Sequence, residues 1–198
     1  MDSHHTGRTA IVETVVKLGG GLLAYPEHFD AAVSAIDAAA RECRLLVVPG
    51  GGPFADAVRE VDRRLRLSDD AAHWMAVLAM DQYAHLVAAR LAGGMLVADR
   101  HEIADAFEAG LVPVLAPYRW LREADPLPHA WDVTSDSIAA WVAGASGARR
   151  LVLVKPPGAS GSEQVDAYFP RALPAHVTPV IVPADQVVAL HSALRCHV

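Results

Sequence analysis

The run Val15-Val16-Lys17-Leu18-Gly19-Gly20-Gly21-Leu22-Leu23 decides how this chain is read. The mostly apolar segment from Thr9 to Val16 has the character of a buried strand, and it stops at a lysine followed by three glycines. Glycine lets backbone N–H groups turn toward a ligand and approach it with no Cβ in the way. A lysine beside such a loop adds a compact positive charge that suits phosphate. The combination marks a phosphate cradle at the carboxyl edge of a sheet, where open α/β folds hold their ligands. Taken alone, the run fits a strand ending in a tight loop equally well.

The flanking sequence repeats the pattern. Pro26 to Arg41 carries Phe29, Ala32, Val33, Ile36, Ala39 and Ala40 at helical spacing, with Pro26 suited to a first turn. Arg44-Leu45-Leu46-Val47-Val48-Pro49 then reads as a short strand that runs into Gly50-Gly51-Gly52. Two triglycine loops thus end successive strands, which ordinary turns seldom do. Lys17 and Lys155 are the only lysines in 198 residues, and both sit at the end of an apolar strand beside a candidate loop.

Further along, Phe54 to Leu65 reads as a helix carrying Arg59, Arg63 and Arg64. Ser68 is placed to cap a long helix from Asp69 to about Leu91, with two aspartates at its positive end. His73, Val77 and Asp81 share one stripe of that helix. Met95–Ala98 and Val112–Leu115 are strands around a helix from His101 to Ala109. The proline- and tryptophan-rich Pro117–Trp131 segment reads as an ordered loop. Thr134 or Ser135 caps the next helix and leaves Asp136 in its first turn. There an aspartate either complements the helix dipole or orients lysines and a metal around a polyphosphate. Strand Arg150–Lys155 leads into Pro156-Pro157-Gly158-Ala159-Ser160-Gly161. A helix over Glu163–Leu173, a strand over Val177–Val182 and a helix over Ala184–Leu194 close the chain. The alternation predicts an α/β domain spanning residues 1–198, with a mostly parallel sheet covered by helices on both faces.

Composition narrows the function classes. The chain is 53% hydrophobic and 20% charged, which is globular, and its net charge of −6 argues against a broad nucleic-acid face. Cys43 and Cys196 are too few for a disulfide framework or zinc site, which suits a reducing compartment. The N-terminus has no secretory pattern and no run is long enough to span a bilayer, so the expectation is a soluble cytoplasmic protein. Gly19-x-Gly21-x-x-Ala24 nominally fits a relaxed dinucleotide fingerprint, but no acidic residue ends the second strand at the required distance. Walker, Gly-x-Ser-x-Gly and His-Glu-x-x-His patterns are absent. What remains is a polyphosphate held by two glycine loops, lysines and an aspartate, an inventory suited to phosphoryl transfer.

These motifs, in this order and over nearly the whole chain, resemble the amino acid kinase family, which includes acetylglutamate, aspartate, carbamate and uridylate kinases. Val48-Pro49-Gly50-Gly51-Gly52-Pro53-Phe54-Ala55, Arg59, Asp62, the Leu67-Ser68 to Asp81 helix with His73, and His129-Ala130-Trp131 before Thr134-Ser135-Asp136-Ser137 are similar to one branch. That branch comprises the small kinases of methanofuran biosynthesis, which convert an (aminomethyl)furanmethyl phosphate to its diphosphate.

The resemblance implies a three-layer, carbamate kinase-like sandwich that uses ATP and Mg²⁺ and assembles as a homo-oligomer. It implies that Lys17 neutralises the phosphoryl group in transit with Gly19, Gly20 and Gly21, and that Asp136 orients Lys17. Lys155 and Gly158 fall on the nucleotide side. Gly50, Gly51, Gly52, Phe54, Arg59, Asp81 and Ser135 fall on the acceptor side, with Asp81 matched to an aminomethyl cation. No dedicated protein metal site, nucleic acid or membrane partner is implied. The turn after Lys155 departs from the family's Asp-Val-Asp-Gly-like turn, and the segment beyond it is shorter. A ligand-binding or partner subunit of the same fold, and a kinase for another acceptor such as a nucleoside monophosphate, stay open beside the leading reading.

Overall fold

The computed structural model describes residues 12–159 and 165–195. Six strands form one parallel sheet in the order β3-β4-β2-β1-β5-β6. They are β1 (Thr14–Leu18), β2 (Leu45–Pro49), β3 (Gly94–Val97), β4 (Val112–Leu115), β5 (Arg150–Lys155) and β6 (Thr178–Pro183). The helices are α1 (Pro26–Ala40), α2 (Gly52–Leu65), α3 (Asp69–Arg90), α4 (Arg100–Glu108), α5 (Tyr118–Ala124), α6 (Ser135–Ser146), α7 (Phe169–Ala172) and α8 (Val187–Leu194). This is the three-layer architecture expected from the alternation of elements.

Both faces of the sheet are covered, so the central strands are apolar throughout rather than alternating. Val16, Leu18, Val152 and Val154 pack with α1, α8 and the C-terminal half of α3. Val15, Leu46, Leu151 and Leu153 pack on the opposite face, with α4, α6 and the N-terminal half of α3. Side chains alternate along a strand, so Lys17 follows Val15 and Lys155 follows Leu153 onto the α6 face. Lys17 lies opposite Leu153 in the β1–β5 ladder, which sets the two lysines on adjacent strands of one face.

The chain leaves β1 for β2 on one side and later returns to β5 on the other. Their carboxyl ends therefore flank a topological switch point, where open parallel sheets leave a crevice.

Several boundaries differ from expectation. Lys17 lies inside β1 rather than after it, and the first glycine loop winds into a 3₁₀ turn over Gly20–Ala24. The expected Pro117–Trp131 loop contains α5, with Pro117 just before its first turn. The expected Glu163–Leu173 helix is one turn, Phe169–Ala172, and its start falls outside the described residues. Cys43 is buried on the α1–α8 face, with its Sγ 3.6 Å from the Leu194 carbonyl oxygen, and Cys196 lies outside the described residues. Among the described residues no helix is long and apolar enough to cross a membrane.

Candidate active site

At the carboxyl ends of β1 and β5, two lysines share one carboxylate. Lys17 Nζ lies 2.8 Å from Asp136 Oδ1, and Lys155 Nζ donates to Asp136 Oδ2 at 2.6 Å. All three are buried, with 4%, 8% and 5% exposure for Lys17, Lys155 and Asp136. Burial alone would raise the Asp136 carboxyl, but the two ammonium groups outweigh it and hold it below the usual carboxylate range. Lys155 is pushed down, first by burial and then by Lys17, despite its contact with Asp136. Two ammonium groups against one carboxylate leave an uncompensated positive charge in a dry setting, which favours an anion.

The glycine triplets meet directly above this group. A Cβ on Gly20 would lie 2.1 Å from the Gly52 nitrogen, one on Gly50 would lie 2.7 Å from the Gly20 nitrogen, and one on Gly51 would lie 2.4 Å from Ala55 Cβ. Any larger residue at Gly20 would push the two loops apart. The six glycines are not equivalent. Gly19 N donates to Val154 O at 2.9 Å and Gly50 N donates to Leu18 O at 2.8 Å, so both extend the sheet instead of facing a ligand. That corrects the expectation that Gly19 serves the phosphoryl group and Gly50 the acceptor. Gly20, Gly21, Gly51 and Gly52 line the cavity. Gly51 and Gly52 do so at the N-terminus of α2, where N–H groups have no partner within the helix.

The cavity holds about 340 Å³ between α2, α3 and the start of α6. Part of its lining is glycine and Ser135, and part is apolar, with Ala55, Val77, Met80 and Ile138. Arg59 lies along one wall, with its guanidinium 4.9 Å from the Trp131 ring centre. Trp131 is held in turn by donating Nε1–H to Asp62 at 2.7 Å.

Asp81 and Phe54 are not in that lining. Asp81 accepts from the Tyr118 backbone N–H at 3.0 Å, so it caps the start of α5 rather than facing an acceptor. Burial raises its carboxyl to about 6. Phe54 packs half-buried between the α1-side core and the small cluster of Ala55, Val58 and Ala79. Gly158 holds the turn after β5 at φ +73°, with open space around it. Pro156, just before that turn, would sit 2.8 Å from a Cβ on Gly21 and so lies against the first glycine loop.

Two residues were missed at the sequence level. Asp166 accepts from the N–H groups of Thr134 and Ser137 at 3.0 Å, from the Thr134 hydroxyl at 2.7 Å and from the Ser137 hydroxyl. Its other oxygen also accepts from Phe169 N at 2.9 Å, so one carboxylate ties the N-terminus of α6, and hence Asp136, to α7. No local spacing would have located it, because its partners Thr134 and Ser137 lie 32 and 29 positions away. His73 lines the cavity; periodicity alone put it on a polar stripe without a role.

A family model described as "Amino acid kinase family" matches residues 13–156. The chain belongs to that family. It is 28% identical over 144 residues to the (5-(aminomethyl)furan-3-yl)methyl phosphate kinase of Methanocaldococcus jannaschii. That match covers 70% of this chain and 63% of the relative, so the chain spans less than two thirds of the relative's length. Among solved structures it is similar to uridylate kinase from Archaeoglobus fulgidus, with TM-score 0.64 and 16% identity over 90% of this chain and 95% of that one. UMP kinase from Ureaplasma parvum gives TM-score 0.65 and 15% identity over 89% and 91%. At that identity the structures speak to the fold, which is the amino acid kinase fold.

Proposed function

We propose that the chain transfers the γ-phosphoryl group of ATP to the phosphate of a small molecule, and that the acceptor is an (aminomethyl)furanmethyl phosphate, giving its diphosphate. An oxygen of the acceptor phosphate attacks the γ-phosphorus, a new P–O–P bond forms, the β–γ bridge breaks and ADP leaves. The observation that carries this reading is the pair of buried ammonium groups, Lys17 and Lys155, sharing Asp136 beside the joined glycine loops.

Phosphoryl transfer asks for positioning and charge neutralisation rather than a covalent partner. Lys17 and the N–H groups at Gly20 and Gly21 suit the group in transit, and those at Gly51 and Gly52 suit the acceptor phosphate. Asp136 keeps both ammonium groups aimed at one point and lessens their mutual repulsion. Asp166 positions Asp136 by fixing the first turn of α6.

Mg²⁺ would arrive on the nucleotide, where it would supply further neutralisation of phosphate charge. The chemistry of the rim fits ATP: a glycine cradle that a Cβ would fill, and a surplus positive charge beneath it.

Purified protein with ATP, Mg²⁺ and the furan phosphate should form the diphosphate, and Lys17→Ala should slow it by about 10²- to 10³-fold. A second reading, a subunit that binds the acceptor without turning over ATP, draws on Pro156 packed against Gly21. Acceptor binding with no diphosphate formed would favour it, and turnover of UMP alone would shift the acceptor to a nucleoside monophosphate.

A further inference from the structure

His73 is nine-tenths buried, at 9% exposure, yet lines the cavity. Among the described residues neither of its ring nitrogens has a hydrogen-bond partner, and neither is sealed off as a buried orphan. A buried polar ring facing a cavity with nothing to bond is waiting for a ligand group.

Its position selects which end of the ligand it meets. Tyr83, on the same helix, reaches the Gly19 carbonyl at the rim, at 3.5 Å. The α3 residues that line the cavity run from Asp69 to Met80, and His73 lies near the start of that row, on the side away from Tyr83.

The surroundings of His73 select the charge. Its ring stacks on His129 at 4.1 Å, with 14° between the planes. His129 Nδ1 faces Asp70 at 3.0 Å and Nε2 faces Asp125 at 2.9 Å. Burial, and then the charge of His129, push His73 down to about 4, with Asp125 and Asp70 opposing. His73 is therefore neutral at pH 7 and keeps one nitrogen as an acceptor.

The other charged neighbours do not reverse this. Arg122 lies over the Trp74 ring, whose edge meets His73, and Arg59 pairs with Asp56. Asp69 lines the cavity close by, one turn before His73 on α3. The balance at this end is negative.

We infer that His73 is the specificity-determining residue for the acceptor: its free ring nitrogen accepts an N–H from a cationic amine at the end of the acceptor remote from the phosphate. The inference rests on the proposed function and names the group that tells the aminomethyl acceptor from an uncharged one. It takes the role that the family resemblance implied for Asp81.

The test compares two acceptors, the (aminomethyl)furanmethyl phosphate and the analogue with methyl in place of aminomethyl, in wild type, His73→Phe and His73→Gln. One hydrogen bond to a charged group corresponds to about 10- to 100-fold. The wild type should prefer the amine by that factor in kcat/KM. His73→Phe should lose the preference through a higher KM for the amine, with kcat little changed, and His73→Gln should retain part of it because its carbonyl can accept. The preference is a ratio within one protein, so it is independent of any loss of folded material. Equal loss for both acceptors in His73→Phe, or an active wild type indifferent to the amine, would overturn the role of His73 and leave the kinase reading standing. A wild type that converts neither compound would contradict the acceptor reading itself, and the inference with it.

Discussion

Two charged clusters beside the cavity, neither of them in its lining, are built from the same kinds of group in opposite proportion. At the rim, two cations, Lys17 and Lys155, share one carboxylate. At the far end, one imidazole ring, His129, lies between two carboxylates, Asp70 and Asp125. The first cluster carries a surplus positive charge and the second a surplus negative one. Between them lies an apolar stretch with room for a small ring. Such a cavity suits a molecule with phosphate at one end and an amine at the other, and UMP offers no such cation. Burial also differs. The rim triad is almost sealed, whereas the Asp70 and Asp125 side chains are 65% and 59% exposed. Charge is worth more where water is excluded, so changes at the rim should cost far more than changes at the far end.

The largest expected effect is therefore Asp136→Asn. It leaves two buried ammonium groups without a carboxylate, and a loss on the order of 3–5 kcal/mol of stability is expected in denaturant titration. Because Asp136 is held below its ordinary value, its contribution is present above the unfolded pKa and is lost as pH falls through the lower folded one. The wild type should thus lose stability toward acid more steeply than the variant.

Lys17→Ala should come next. Removing one preorganised charge at a reacting group costs about 10²- to 10³-fold in kcat, read from initial rates with a circular dichroism check that the fold persists. Asp166→Ala should cost about 0.5–2 kcal/mol, the range for losing a helix cap, and should lower kcat more than it raises acceptor KM because it acts through the first turn of α6. Equal effects on both parameters would argue that Asp166 is only structural.

The smallest effect is expected at Asp81, which the structure removes from the cavity. Its carboxyl is raised from 3.8 to about 6, so the folded protein holds a proton that the unfolded chain releases, and stability falls as pH rises between those values. Asp81→Asn should flatten that slope and leave acceptor preference unchanged. A lost preference would return Asp81 to the site.

Much of the rim could be read directly from the sequence. A lysine before three glycines, the second triplet and Asp136 in a first helical turn are local patterns, and the parallel topology brings them together. Asp81 misled for a non-local reason. Periodicity correctly put it on one stripe with His73, but it could not say which element covers each end of that stripe. Reading Tyr118–Ala124 as loop hid the helix whose first N–H, from Tyr118, occupies Asp81. Gly19 and Gly50 misled likewise, since composition does not say which N–H of a triplet the sheet consumes. Asp166 bonds residues 29 and 32 positions away, a pairing that no local pattern encodes.

The most direct measurement is the wild-type ratio of kcat/KM for (aminomethyl)furanmethyl phosphate over UMP, with ATP and Mg²⁺ at pH 7. A cavity positive at the rim and negative at the far end should favour the furan phosphate by at least about 10-fold, the worth of one charged contact. Equal turnover of the two, or preference for UMP, would contradict the account.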